Sequence, residues 1–304
     1  MAPPEILDAH VHLYGPEAAA DPEGWGLYRQ EPHWVDTVAP GDRTTIQGWS
    51  TPELLVRHMD EAGIASCVLL GWYWERQETC DLQNSWYLEW SARYPGRLIP
   101  FATVQPAAGP RARDCLRRAL DQGMKGIGEL LPAAQGYGLE DPVFVDVMKL
   151  ADERRLPVTL HATDPEKGPR AGPPTPLGPL VDLALRFPNA SVILAHFGGG
   201  LAFRGLPDGR PLPPNLYFDT AASPLLYAPD VYRQSVECSG EDRILYGSDY
   251  PLLVYPRKTR EPGLRPMVEE ILASGLGSTS RTPVLGGNLR RILARGLAPG
   301  AVQV

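Results

Sequence analysis

Short apolar runs alternate with longer amphipathic stretches along almost the whole chain. The runs Glu5–His12, Ile64–Gly71, Arg97–Val104, Lys125–Leu130, Pro157–His161, Ser191–His196, Leu216–Thr220 and Arg243–Asp249 predict eight strands. Between them, apolar residues recur at helical spacing over Thr51–Gly63, Asp81–Tyr94, Arg111–Gln122, Val143–Arg155 and Leu177–Phe187. Thr51-Pro52 reads as an N-cap with proline at the first helical position, and Pro95-Gly96 stops the second helix. Only the sixth crossover, Leu201–Pro214, holds too much Gly and Pro for a good helix. Strands joined by crossovers of this length pair in parallel, and short apolar runs suit strands covered on both faces. The expectation is one α/β domain over residues 1–304, a distorted (β/α)8 TIM barrel. No G-x-G-x-x-G turn follows the first strand, which weakens a dinucleotide-binding alternative.

One segment breaks the alternation. Residues 13–50, after the first strand, are rich in Gly and Pro and carry Tyr14, Trp25, Tyr28, Trp34 and Trp49. A loop this long inside a compact domain is usually a lid or binding loop when it is not disordered, and the aromatics argue against disorder. The Gly/Pro-rich stretch Pro165–Pro179 falls where the loop of the fifth strand belongs and needs no linker role.

Composition narrows the partners. Charged residues make up 21% and hydrophobic ones 43% of the 304 residues, typical of a soluble globular chain. The formal charge is −7 and no Lys/Arg stripe forms, so nucleic acid is not an expected partner. Cys67, Cys80, Cys115 and Cys238 show no C-x-x-C pair, which fits a reducing cytoplasm better than a disulfide framework. Neither a signal peptide nor a membrane span is legible. The expected partner is a small-molecule substrate; a homodimer stays open, with no interface to point to.

The placement of the histidines and carboxylates points to chemistry. Four of the six histidines, His10, His12, His161 and His196, fall at the C-terminal ends of strands one, five and six. Glu129 ends strand four and Asp249 ends strand eight. In a barrel those ends meet on one rim, where active sites of this architecture lie. Imidazoles and carboxylates converging there form a site for zinc, with manganese, iron or other divalent ions as alternatives. Each residue also has an ordinary structural role open to it. His161 could bond a carbonyl, His196 could hold the Gly198–Gly200 turn, Glu129 could pair with an arginine and Asp249 could cap the turn before Pro251. His33 and His58 receive no role, and Asp219 at the end of strand seven either orients a ligand or makes a buried hydrogen bond.

Five pieces, in order at strand ends, carry a resemblance. They are Asp8-Ala-His-Val-His12, Gly126-Ile-Gly-Glu129, Leu160-His161-Ala, Ala195-His196-Phe-Gly-Gly199 and Tyr246-Gly-Ser-Asp-Tyr-Pro251. The chain resembles the amidohydrolase superfamily, in its amidohydrolase-2 branch of hydrolases, lactonases and the aminocarboxymuconate-semialdehyde decarboxylase group. Gly287-Asn-Leu-Arg-Arg291 looks like the closing helix of that branch. The resemblance implies His10, His12, His161 and Asp249 as metal ligands, with Asp249 also moving a proton. His196 would complete a second metal position or polarise the substrate. Glu129 would bridge two ions, as a strand-four carboxylate does in binuclear relatives, or take a catalytic role beside one. Lys125 is not that bridge, since at about 3.3 Å per residue it lies roughly 13 Å from the far end of its strand.

A divalent ion lowers the pKa of bound water from 15.7 towards about 7 and polarises a carbonyl. The expected activity is therefore metal-dependent hydrolysis of a small carboxylic ester, lactone or amide, using one or two ions, zinc foremost. A metal-dependent decarboxylase on the same scaffold is the alternative. A TatD-like nuclease fits the acidic charge poorly, and a binding protein without catalysis is the competitor outside enzymes. Trp72 on the cavity wall, and Arg76 and Arg204 as clamps for a substrate carboxylate, are the candidate substrate contacts. The aromatics could equally pack the lid onto the barrel.

Overall fold

A computed structural model of the chain describes residues 4–167, 175–253, 259 and 261–296. The middle of the Pro165–Pro179 loop and the first residues of the N-terminal segment therefore lie outside the described residues. Eight parallel strands follow in chain order: β1 Ile6–Val11, β2 Ile64–Leu69, β3 Leu98–Pro100, β4 Ile127–Leu130, β5 Pro157–Leu160, β6 Ser191–Leu194, β7 Leu216–Asp219 and β8 Ile244–Leu245. They form two ladders, β1-β2-β3 and β4-β5-β6-β7-β8.

Single bridges join the ladders at both seams, Ala102 to Ile127 and Val11 to Tyr250. Backbone bonds reinforce each: Ala102 N to Gly126 O and Gly128 N to Ala102 O, both 2.9 Å, at one; Ala9 N to Tyr246 O and His12 N to Tyr250 O, both 2.8 Å, at the other. A cluster of Leu7, Val68, Phe101, Ile193, Tyr217 and Leu245 draws side chains from both ladders against Leu289 and Ile292 of the helix Asn288–Arg295. The two sheets thus share one interior, closed by that helix, and the fold is the expected (β/α)8 barrel.

The crossover helices pack outside. Pro52–Ala62 is capped by the Thr51 hydroxyl, which accepts from Leu54 N at 3.2 Å, and it ends on left-handed Gly63. It buries Leu55 and Met59 against the strands, at about 1.5–3 kcal/mol per fully buried side chain. Gln77–Arg93, Pro110–Asp121, Pro142–Glu153 and Leu177–Arg186 follow the expected positions, and the sixth crossover holds only the four-residue turn Leu201–Arg204. Strands three and eight are shorter than their apolar runs. Strand eight stops early because the chain leaves the ladder at Gly247–Asp249, where Asp249 takes a φ of +63°.

Residues 13–50 are irregular only in part, with no helix or strand over 39–50. They hold three short helices, Pro16–Ala20, Pro22–Arg29 and Pro32–Val38, each with proline in its first turn. Trp25, Trp34 and Trp74 are buried between this segment and the loop after β2. Two carboxylates interlock the same elements. Glu31 accepts from Glu75 N at 2.6 Å and Arg76 N at 3.1 Å, while Glu75 accepts from His33 N at 2.7 Å.

Candidate metal centre

The six candidate residues come together at the C-terminal rim. His10 and His12 are on and just beyond β1, Glu129 lies in β4, His161 and His196 follow β5 and β6, and Asp249 sits in the turn after β8. Hydrogen bonds fix the imidazoles. His10 Nδ1 is 2.9 Å from Asp219 Oδ2, His12 Nδ1 is 2.9 Å from the Leu70 carbonyl, and His196 Nδ1 is 3.1 Å from the Ala221 carbonyl. Carbonyls and carboxylates only accept, so in the neutral rings all three Nδ1 atoms carry the proton and all three Nε2 atoms present lone pairs.

Those lone pairs converge on carboxylate oxygens in two groups. In the first, His10 Nε2 and His12 Nε2 are 3.0 Å apart. Glu129 Oε2 lies 3.8 and 3.7 Å from them, and Asp249 Oδ1 is 3.6 Å from each. In the second, Glu129 Oε1 is 3.0 Å from His161 Nδ1 and 4.0 Å from His196 Nε2, with the two ring nitrogens 3.3 Å apart. An ion with bonds of about 2.0–2.2 Å places neighbouring donors roughly 3–3.6 Å apart. The donor set suits a divalent ion in the first group and a second in the other, with Glu129 offering one oxygen to each. The histidine pairs and Asp249 lie within that spacing, and the Glu129 oxygens, up to 4.0 Å away, extend a few tenths of an ångström outside it.

The loop after β6 turns left-handed to present His196. Residues 196–199 have φ from +56° to +61° and Gly200 has +96°. Glycine is required at Gly198, where a Cβ would meet the Phe218 ring at 2.6 Å, and at Gly199, where it would meet the Thr163 carbonyl at 3.0 Å. Asp219 anchors this turn by accepting from His196 N and Ala221 N, both at 3.0 Å, so one buried carboxylate orients both His10 and His196. Asp219 thus makes buried hydrogen bonds at the end of strand seven, one of them to His10, a candidate ligand.

The cavity above these candidate ligands has a volume of about 1000 Å³, and His12, Glu129, His161, His196 and Asp249 are among the residues that line it. A family model described as Amidohydrolase matches residues 7–295. The chain belongs to the amidohydrolase family. As the five motifs imply, its branch is amidohydrolase-2.

Solved structures of this fold include several family members. The 5-carboxyvanillate decarboxylase of Novosphingobium aromaticivorans, with bound manganese and 3-methoxy-4-hydroxy-5-nitrobenzoic acid, is similar at a TM-score of 0.71 and 16% identity, over 95% of this chain and 97% of that one. The 5-carboxyvanillate decarboxylase of Sphingomonas paucimobilis matches at 0.68 and 17%, over 96% and 99%. The 2,6-dihydroxybenzoate decarboxylase of Rhizobium matches at 0.62 and 18%, over 96% and 99%.

In this amidohydrolase-family chain the three candidate substrate contacts fall in different places. Trp72 lines the cavity, with Tyr73 stacked on it at 4.2 Å. Arg76 does not reach the cavity: its side chain is exposed, and Nη2 bonds Gln30 Oε1 at 2.8 Å because Glu31 fixes its backbone at the helix start. Arg204 is committed to Asp164 at 2.6 Å, Glu166 at 3.2 Å and the Gly199 carbonyl at 2.9 Å, so it braces the wall rather than clamping a ligand. Among the lining residues that sequence reasoning gave no role are Arg43 and His33, both carried by segment 13–50. The one available signal was their place in an aromatic-rich loop near the rim. No helix among the described residues is long and apolar enough to cross a membrane.

Burial lowers the pKa of His12 and His196. At His10 burial acts the same way, but Asp219, Asp249 and Glu129 outweigh it and lift the ring from 6.5 to about 10. Glu129 is likewise pushed up by burial, yet His161, His10 and His12 hold it well below the usual carboxylate range. Without a metal, a proton on His10 is thus the cation that the carboxylates attract. A histidine raised in this way contributes stability that is fully present below its ordinary pKa of 6.5 and is lost as pH rises towards about 10. The melting temperature of metal-free protein is expected to fall over that window. The gain on adding zinc or manganese should grow over the same window, as an ion takes the proton's place. Scanning fluorimetry from pH 6.5 to 9.5 checks this, and an ion-induced shift that stays flat contradicts it.

Proposed function

We propose that this family member is a divalent-ion-dependent hydrolase of a small carboxylic ester, lactone or amide. One observation carries the reading: Glu129 Oε2 belongs to the His10/His12/Asp249 group and Oε1 to the His161/His196 group, an arrangement suited to two ions. When bound, such ions supply an activated water and a polarised carbonyl. Asp249, 6% exposed in the cavity lining, takes up the proton of the attacking water and returns it to the leaving oxygen or nitrogen. His196 lies near the other carboxylate oxygen of Asp249, its Nδ1 3.9 Å from Oδ2, while the Nδ1 proton stays on the Ala221 carbonyl. Trp72 and Tyr73 line the cavity together with Leu225, Leu226 and Leu252, a lining that suits a flat apolar ring.

Decarboxylation of an aromatic carboxylate is the second reading, and the comparisons lend it more weight than the first. The three similar structures described above are decarboxylases. Arg43 adds to it: among the described residues it is the only Lys or Arg side chain lining the cavity. One experiment separates the two. Metal-loaded protein is offered aryl esters, lactones and anilides in one series and hydroxybenzoates in the other, in ¹⁸O-water. Label in a carboxylate product supports hydrolysis. Carbon dioxide release without label in the aromatic product supports decarboxylation and overturns the first reading.

A further inference from the structure

Two irregularities flank the ion site, and both leave buried backbone N–H groups without a ladder partner. The β1–β2 register shifts between Asp8 and Val11, around His10. On the other side, the chain leaves β8 after Leu245, and Asp249 N bonds the His10 carbonyl at 2.9 Å. His10 and Ser248 are 0% and 3% exposed, so their amides cannot turn to water, and a buried N–H without an acceptor costs about 1–3 kcal/mol. A single atom serves both. Asp8 Oδ1 accepts from His10 N at 3.0 Å and from Ser248 N at 2.9 Å. Asp8 is itself fully buried, and its Oδ2 has no hydrogen-bond partner among the described residues.

We propose that Asp8 is a positioning residue for the ion site: its Oδ1 clamps the two irregular strand ends together and so holds His10 and Asp249 at the spacing one ion requires. His10 and Asp249 come from opposite sides of a seam joined by one bridge, between Val11 and Tyr250. The Asp8 clamp lies across that seam, on the residue before Asp249 and on His10 itself. Its role is that of an acceptor, not of a charge, because the second oxygen meets no donor.

The inference rests on the reading of this site as ion-binding, and the measurements separate the two. Manganese and zinc affinities are titrated on metal-free wild type, Asp8→Asn and Asp8→Ala, with the melting temperature of each metal-free protein recorded alongside. Asp8→Ala is expected to weaken ion binding by about 10–100-fold, the range for residues that orient ligands from behind. Asp8→Asn, which keeps the acceptor oxygen, should stay within about threefold of wild type, the rescue that an acceptor role requires.

Unchanged affinity in Asp8→Ala overturns the proposal, leaving Asp8 a purely structural residue. An equal loss in Asp8→Asn also overturns it, assigning the effect to charge. A wild type that binds neither metal removes the ion-site reading itself. Should Asp8→Ala fail to fold, hydrogen exchange on metal-free wild type decides: slow exchange at the His10 and Ser248 amides supports the clamp, and fast exchange at either overturns it.

Discussion

Purified without chelator or metal-affinity resin, the protein is expected to carry close to two divalent ions per chain, and Glu129→Gln to carry one or fewer. The first group offers His10, His12, Glu129 and Asp249, and the second offers His161, His196 and the other oxygen of Glu129. An amide keeps the shape of the side chain but removes the charge both groups share. Breaking a buried charge pairing costs roughly 3–5 kcal/mol, so affinity should drop by about a hundredfold or more. Elemental analysis and competitive titration measure both quantities. Close to one ion in wild type and variant alike would make Glu129 a proton carrier beside a single metal, and would move the assignment to decarboxylation.

Asp249→Asn should lower kcat by about 10²–10⁴-fold on whichever substrate series is turned over, the range for loss of a general base or acid. Asp249 Oδ1 stands 3.6 Å from both Nε2 atoms of the first group, within the cavity lining. Its amide retains a coordinating oxygen but cannot accept and return a proton. Ion content is therefore expected to fall much less than kcat. Normal kcat with normal ion content would pass the proton-carrying role to Glu129, the carboxylate that reaches both groups.

The convergence of the six candidate ligands was legible before any fold was known, because they lie at strand ends. A strand end is marked twice, by the close of an apolar run and by the chemistry-bearing residue that follows, as in Leu160-His161 and Leu194-Ala195-His196. Parallel pairing then brings those ends to one rim whatever the crossovers do. The helices of segment 13–50 were not legible, since each is too short for a helical period to register against its Gly/Pro content. Their proline starts were a local signal with no apolar stripe to support it.

Arg76 and Arg204 mark another limit. Sequence places an arginine near the rim but does not reveal that Gln30 occupies the first and Asp164 the second. His33 and Arg43 were hidden for the converse reason. The segment that carries them is brought over the cavity by the Glu31 and Glu75 interlock, a pairing of residues more than forty positions apart.

The ladders part at two seams, and the ion ligands are divided between them. His10 and His12 belong to the three-stranded side, whereas Glu129, His161, His196 and Asp249 belong to the five-stranded side or its loops. Backbone hydrogen bonds tie each seam beside its one bridge, and an ion spanning the first group would add a further tie between the two ladders. Its binding free energy is then also cohesion between a fragment ending near β3 and the fragment that begins before β4. Chelation would remove that added tie and leave the backbone bonds of the seam in place.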